Sequence, residues 1–234
     1  MRILVWNGQW RRPTNPIRAL VGAFDPDLAV LTETSSEDYF DGGHWVSSDS
    51  DYGYDAPASR RKVRMWSRHQ WRRVDSQGDE ELPPGRFVSA ETDSLIGSVR
   101  FFGVCIPWRD AHVRTGQRNR ELWEDHLAYL EGLERILSAA PSLAALAGDW
   151  NQRIPRYRQP TRVFDALVRS LPQSFGIATS GSVPGVERQL IDHVAVSPDL
   201  EVRRVRGFPR GTPEHGALSD HDGVVVDLVA NGSV

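Results

Sequence analysis

Carboxylates, carboxamides and histidines stand at the ends of apolar runs throughout this sequence. The clearest case is the run Leu143 to Ala147, which stops at Gly148-Asp149-Trp150-Asn151. A buried strand that ends in Gly and polar residues delivers side chains into a crevice. Asp149 and Asn151 lie two apart and would point the same way on a strand. One offers negative charge to a metal or a water, the other an amide donor for a developing oxyanion. An Asx-rich turn has the same composition. What favours chemistry is that other runs close in the same manner: Trp6-Asn7, Thr32-Glu33-Thr34, Ile191-Asp192-His193 and Leu218-Ser219-Asp220-His221. No serine or cysteine occupies a nucleophile elbow, so the set suits metal-assisted hydrolysis better than acyl transfer.

The elements that must carry these residues follow from periodicity. Ile3 to Trp6 is an apolar strand; Ile17, Leu20, Val21 and Phe24 recur at helical spacing; Leu28 to Leu31 is a second strand. A parallel pair with a crossover helix places Asn7 and Glu33 at one edge. The acidic, aromatic, Gly- and Ser-rich stretch from Asp38 to Tyr54 reads as mostly loop. Lys62 to Trp66 and Gln70 to Val74 read as strands around a turn at Ser67-Arg68, and Arg86 to Glu91 with Ser98 to Ile106 as a further antiparallel pair. Leu122, His126, Leu130, Leu133 and Leu137 form an apolar stripe, which predicts a helix over Glu121 to Leu137. A short helix near Val163 to Leu171 follows an Arg- and Pro-rich loop. Strands are then expected at Phe175 to Ala178, Leu190 to Val196, Glu201 to Arg206 and Gly223 to Val229, with a flexible loop over Pro209 to His215.

Composition sets the outer bounds. With 234 residues, 39% of them hydrophobic, the chain is long enough for one large domain with a substantial core, and no linker or repeat divides it. The net charge of -3 gives no overall basic field. All but one of the 28 Lys and Arg residues are arginine, the exception being Lys62. Arginine grips phosphate bidentately where lysine cannot, although a coding bias would give the same count. The single cysteine, Cys105, rules out an internal disulfide and a CxxC knuckle. No segment reaches the roughly 20 apolar residues of a membrane span, and no signal peptide is visible, so a soluble, cytoplasmic protein is expected.

The five polar strand ends, in their order and spacing, resemble the endonuclease/exonuclease/phosphatase family. Its members include DNase I-like nucleases, exonuclease III-like apurinic endonucleases, inositol polyphosphate 5-phosphatases and neutral sphingomyelinases. Gly148-Asp149-x-Asn151 followed by Ile191-Asp192-His193 and Ser219-Asp220-His221 is the discriminating part, and the resemblance spans roughly residues 2 to 228. It implies a four-layer α/β sandwich, two packed mixed sheets flanked by helices. It implies Glu33 as the principal ligand of Mg²⁺ or Mn²⁺, with Asn7 either ligating the metal or holding Glu33. Asp220 would stand near the metal, directly or through water. His221 would sit against the scissile phosphate, oriented by Asp192, while Asp149 handles the attacking water and Asn151 a non-bridging oxygen. His193, adjacent to Asp192 on a strand, should point the other way and pack.

One departure stands out. Many relatives carry a Tyr or His after the strand Phe101 to Val104, where this chain runs Cys105-Ile106-Pro107-Trp108-Arg109. Arg109 is the candidate to contact phosphate there. Arg153 and Trp150 are further substrate-binding candidates, within a set of arginine clusters (Arg60-Arg61, Arg72-Arg73, Arg153 to Arg158, Arg203 to Arg206) and aromatics. The expectation is a metal-dependent nuclease on DNA or RNA that leaves 5′-phosphate and 3′-hydroxyl ends. The alternatives are a phosphatase or lipid phosphodiesterase acting on a small phosphorylated headgroup, and a weakly active scaffold.

Overall fold

The computed structural model describes residues 1–231. The chain opens with β1 (Arg2–Asn7), α1 (Asn15–Gly22) and β2 (Leu28–Ser35). β3 (His44–Ser47), β4 (Arg60–Ser67), β5 (Trp71–Asp75), β6 (Phe87–Ser94) and β7 (Gly97–Cys105) follow. Next come α2 (Glu124–Ser138), β8 (Ala144–Asp149) and α3 (Thr161–Ser170). The last third holds β9 (Gly176–Ile177), β10 (Asp192–Val196), β11 (Leu200–Phe208), a small hairpin of β12 (Gly211–Thr212) and β13 (Gly216–Ala217), and β14 (Gly223–Ala230).

Two six-stranded sheets result, ordered β11-β14-β1-β2-β4-β3 and β5-β6-β7-β8-β10-β9. Both are mixed: β1 runs parallel to β2 and β7 parallel to β8, with antiparallel neighbours elsewhere. Period-two alternation explains how they stack. Ile3 and Val5 of β1 meet Ala145 and Ala147 of β8 in the core between the sheets. Leu4 and Trp6 face outward, onto Ile17 and Val21 of α1. Ala144 and Leu146 face outward on the other side, onto Leu130 and Leu133 of α2 and Leu167 of α3. β1 and β8, buried on both faces, therefore read as near-continuous apolar runs, and the layers are helix, sheet, sheet, helix. Among the described residues no helix is long and apolar enough to cross a membrane.

Four details depart from the sequence reading. β4 and β5 are not a hairpin: β4 is flanked by β2 and β3, and the chain crosses at Ser67 to the other sheet, where β5 pairs with β6. Both edges of β4 are taken, and Trp71 is needed in the inter-sheet core against Phe101. Within the stretch expected as loop, β3 adds an edge strand. The Pro209 to His215 loop contains the β12–β13 hairpin. Finally, α2 begins at Glu124, because Trp123 takes a left-handed backbone (φ 72°) that a helix interior cannot hold. Leu122, the first member of the predicted stripe, is left 46% exposed.

Candidate active site

All five polar motifs meet at one edge of the two sheets. Asn7 and Glu33 lie at the C-terminal ends of β1 and β2, and Asp149 closes β8. Asp192, in contrast, begins β10, and Ser219 to His221 precede β14. Because β10 runs antiparallel to β8 and β14 to β1, their starts lie beside the other strands' ends. Asp192 is in register with Asp149 across that pair.

Asp149 is the hub. Its carboxylate accepts from the Asn7 side-chain amide (3.1 Å), from the Asn151 backbone N–H (2.9 Å) and from the Asn151 amide (3.2 Å). Gly148 makes this approach possible, since a Cβ there would lie 1.9 Å from the Val104 carbonyl oxygen. Asn151 leaves the strand with a left-handed backbone (φ 53°), so its amide turns back to Asp149 and also donates to the Ile106 carbonyl (2.9 Å). Burial pushes the Asp149 carboxyl up to about 7, against the downward pull of His221.

His221 Nδ1 sits 2.6 Å from Asp192 Oδ2. Two carboxyl groups cannot both be ionised so close without a compensating charge, and the imidazolium supplies it. Burial alone would lower the His221 pKa; Asp192, Asp149 and Asp220 outweigh it and raise the value to about 10. The loop is fastened by the Ser219 hydroxyl, which donates to the Asn7 carbonyl (2.6 Å) and accepts from the His221 N–H (3.1 Å). His193 points the opposite way and is fully buried. Its Nδ1 lies 2.8 Å from the Thr179 hydroxyl and its Nε2 3.0 Å from the Gln152 carbonyl. A second buried histidine, His126 of α2, joins the Pro107 carbonyl (2.6 Å) to the Gln152 side chain (2.8 Å). These two rings brace the loops behind Asn151 and do not reach the cleft.

Glu33 holds a left-handed backbone (φ 49°) between the pairs Thr32–Val63 and Thr34–Arg61, whose unbroken register sets it opposite Lys62. The Lys62 ammonium lies 2.6 Å from its Oε1 and 4.8 Å from the Trp10 ring centroid. Lys62 is thus a site residue that the sequence reading missed; its being the chain's single lysine was the available signal. Asp149, Asp192 and His221 also offer ligand atoms within 4.8 Å of one another. The His221–Asp192 bond places a proton between two of them, so the better hard-cation donors are the oxygens of Glu33, Asp149 and Asp220. These three line one cavity together with Asn7. The Asn7 side chain faces Asp149 rather than Glu33 and accepts from the Gln9 N–H (2.8 Å). An all-oxygen set with few carboxylates suits Mg²⁺ or Mn²⁺.

Two cavities meet at His221 and Asp220, one of about 470 Å³ toward Glu33 and one of about 560 Å³ toward Arg153, Arg188 and Arg210. Arg153 lines the second, as a substrate-binding residue would. Two other candidates lie elsewhere. Trp150 is 0% exposed and packs behind Asp149 against His193, because it alternates with a cleft-facing neighbour. Arg109 lines neither cavity and pairs with Asp110 (2.8 Å); its neighbour Trp108, 43% exposed, is the residue that faces the cleft. Arg72 and Arg73 pair with Asp93 and Glu91 at a distant sheet edge.

The family model for the endonuclease/exonuclease/phosphatase family matches residues 4–221. The chain belongs to that family. It is a phosphoesterase, and its two mixed sheets form the family's DNase I-like fold. Solved structures similar to it include a 3′ phosphatase, NExo, from Neisseria bound to a product DNA hairpin (18% identity, TM-score 0.68, covering 97% of this chain and 98% of that one). The catalytic domain of APE2 from Xenopus laevis is also similar (14%, 0.68, 100% and 94%). So is the endonuclease domain of TRAS1, a telomere-specific non-LTR retrotransposon (16%, 0.67, 98% and 98%). No curated protein matches the sequence.

Proposed function

We propose that this phosphoesterase is a divalent-metal-dependent phosphodiesterase that cleaves nucleic acid. The observation that carries the reading is the position of His221 between two cavities. A monoester has one organic arm to bury, whereas a diester at His221 has one for each cavity. The arginines of the second cavity suit a phosphate backbone, and the solved relative bound to a DNA product is consistent with it.

In this reading Glu33 and Asp220 would hold Mg²⁺ or Mn²⁺, with Asn7 beside them, and the ion would supply Lewis-acid charge to phosphate oxygens. Asp149 orients a water in line with phosphorus and accepts its proton. The Asn151 amide exchanges its longer bond to Asp149 for a non-bridging oxygen, where charge builds. His221, kept protonated by Asp192, donates to the phosphoryl group as the pentacovalent state forms. The P–O3′ bond breaks as the water oxygen bonds to phosphorus, and the leaving 3′-oxygen takes a proton from solvent, which gives a 5′-phosphate and a 3′-hydroxyl.

Purified protein incubated with labelled single- and double-stranded oligonucleotides, with Mg²⁺, Mn²⁺ or EDTA, tests this. Metal-dependent cleavage that is lost in both His221→Ala and Glu33→Ala is expected. Cleavage that survives both substitutions, or EDTA, would remove the proposal. A small phosphorylated headgroup is the second reading, favoured by Asp49, Asp51 and Asp55 in the acidic loop near the first cavity. It predicts a weak salt dependence, where a nucleic-acid substrate predicts a steep one.

A further inference from the structure

Arg86 stands immediately before β6 and is 2% exposed. Its backbone is fixed: the Cys105 N–H (3.0 Å) and the Tyr129 hydroxyl (2.9 Å) both donate to its carbonyl. Gly85 packs so tightly on the Asp51 carbonyl that a Cβ would come within 2.2 Å, which presses the Asp51 to Tyr54 segment over the arginine. The guanidinium nevertheless has no ion-pair or hydrogen-bonding partner among the described residues; the Tyr54 ring centroid lies 6.0 Å from its Cζ. It lines the cavity that also holds Asp149, Asn151, Glu33 and His221.

A guanidinium on a nearly buried residue that opens only onto a cavity, with no ion pair among the described residues, keeps its donors free for a ligand there. The planar five-donor fork matches a tetrahedral oxyanion better than any other ligand a cleft would admit. The cavity holds cations beside the carboxylates of Glu33, Asp55, Asp149 and Asp220. Cys105, at the end of β7 next to Asp149, is buried, and burial pushes its thiol up, so it stays neutral. Lys62 and Arg60 stand across the Trp10 ring on the same cavity wall. Arg109, the candidate from sequence, is turned away onto Asp110.

We infer that Arg86 is a catalytic residue that grips a non-bridging oxygen of the scissile phosphate. The inference rests on the phosphoesterase reading of this cleft and adds to it a residue that neither sequence spacing nor exposure marks. The guanidinium arrives unpaired, so its interaction strengthens as negative charge accumulates on phosphorus, which is the condition for lowering a barrier rather than only binding substrate.

The test compares wild type, Arg86→Met and Arg86→Lys in two measurements. The first is thermal unfolding with and without inorganic phosphate. Wild type should be stabilised by phosphate, and Arg86→Met should lose that shift while melting no lower than wild type in phosphate-free buffer. A merely structural arginine would instead lower the melting temperature when removed. The second is steady-state hydrolysis of bis(p-nitrophenyl) phosphate, where Arg86→Met should lose about 100-fold in kcat and Arg86→Lys should recover part of it. A phosphate shift retained in Arg86→Met, or an unchanged kcat, would overturn the inference while leaving the phosphodiesterase reading intact. Wild type that binds phosphate through Arg86 yet cleaves no diester would do the reverse. If Arg86→Met does not fold, Arg86→Lys carries the same test: it must weaken both the phosphate shift and kcat, and full retention of either refutes the assignment.

Discussion

The same dipeptide, Asp-His, occurs twice in this site with its roles reversed. In Asp192-His193 the carboxylate faces the cleft and the imidazole is buried behind it. In Asp220-His221 the imidazole turns inward onto Asp192 and the carboxylate stands at the rim, its side chain 57% exposed. The difference is register. Asp192 and His193 lie within β10, where neighbours point to opposite faces and Asp192 shares a face with Asp149. Asp220 and His221 precede a strand, and the Ser219 bonds fix which of the two turns inward. Environment then sets charge: Asp192, Asp149 and Asp220 hold His221 protonated, while burial without a carboxylate holds His193 at about 4.

The largest effects should separate the two histidines. His221→Ala is expected to reduce kcat/KM by about 10³- to 10⁴-fold with little change in melting temperature. Asp192→Asn should cost roughly 100-fold or more and move the alkaline limb of the pH–rate profile downward, since the nearest carboxylate that keeps His221 protonated is gone. His193→Ala reverses the pattern. It should destabilise by about 2–4 kcal/mol, from a buried cavity and two lost hydrogen bonds, while its folded fraction turns over at a near wild-type rate. Comparable kinetic losses at His193 and His221 would erase the distinction.

Acid should act through the structural histidines. Burial holds both His126 and His193 at about 4, below the ordinary 6.5, so the unfolded chain takes up these protons first as pH falls. Their contribution is complete above about 6.5 and is lost on descent toward 4, by roughly 3 kcal/mol per ring. Asp149, raised to about 7, takes up its proton in the folded chain over the same range and opposes this. The check is therefore a difference: in denaturant titrations from pH 7 to pH 4 a His126→Gln variant should lose less stability than wild type. Asp220→Asn, at the exposed rim, should have the smallest effect: roughly a tenfold higher metal requirement, read by titrating Mn²⁺ against activity.

Much of the site was legible because apolar runs that end in polar residues mark sheet edges whatever the partner strands are. Asn7, Glu33, Asp149, Asn151, Asp192 and His221 converge as their motifs predict. The misreadings share one cause, which is that linear proximity to a motif does not fix direction. Trp150 and Arg109 each adjoin a site segment, yet one alternates into the core and the other folds onto Asp110. Lys62 and Arg86 reach the cleft from β4 and from the start of β6, with no motif beside them.

The sequence by itself determined the candidate chemistry and which strands are buried on both faces, since residue type sets what a side chain can do and an apolar run leaves no polar face; the four-layer arrangement followed from the family resemblance. Only the tertiary structure decided that β4 and β5 part into different sheets. It also decided that two cations, Lys62 paired with Glu33 and Arg86 without a partner among the described residues, face the cleft. Those outcomes depend on strand register and on contacts between residues far apart in the chain, which no local pattern encodes.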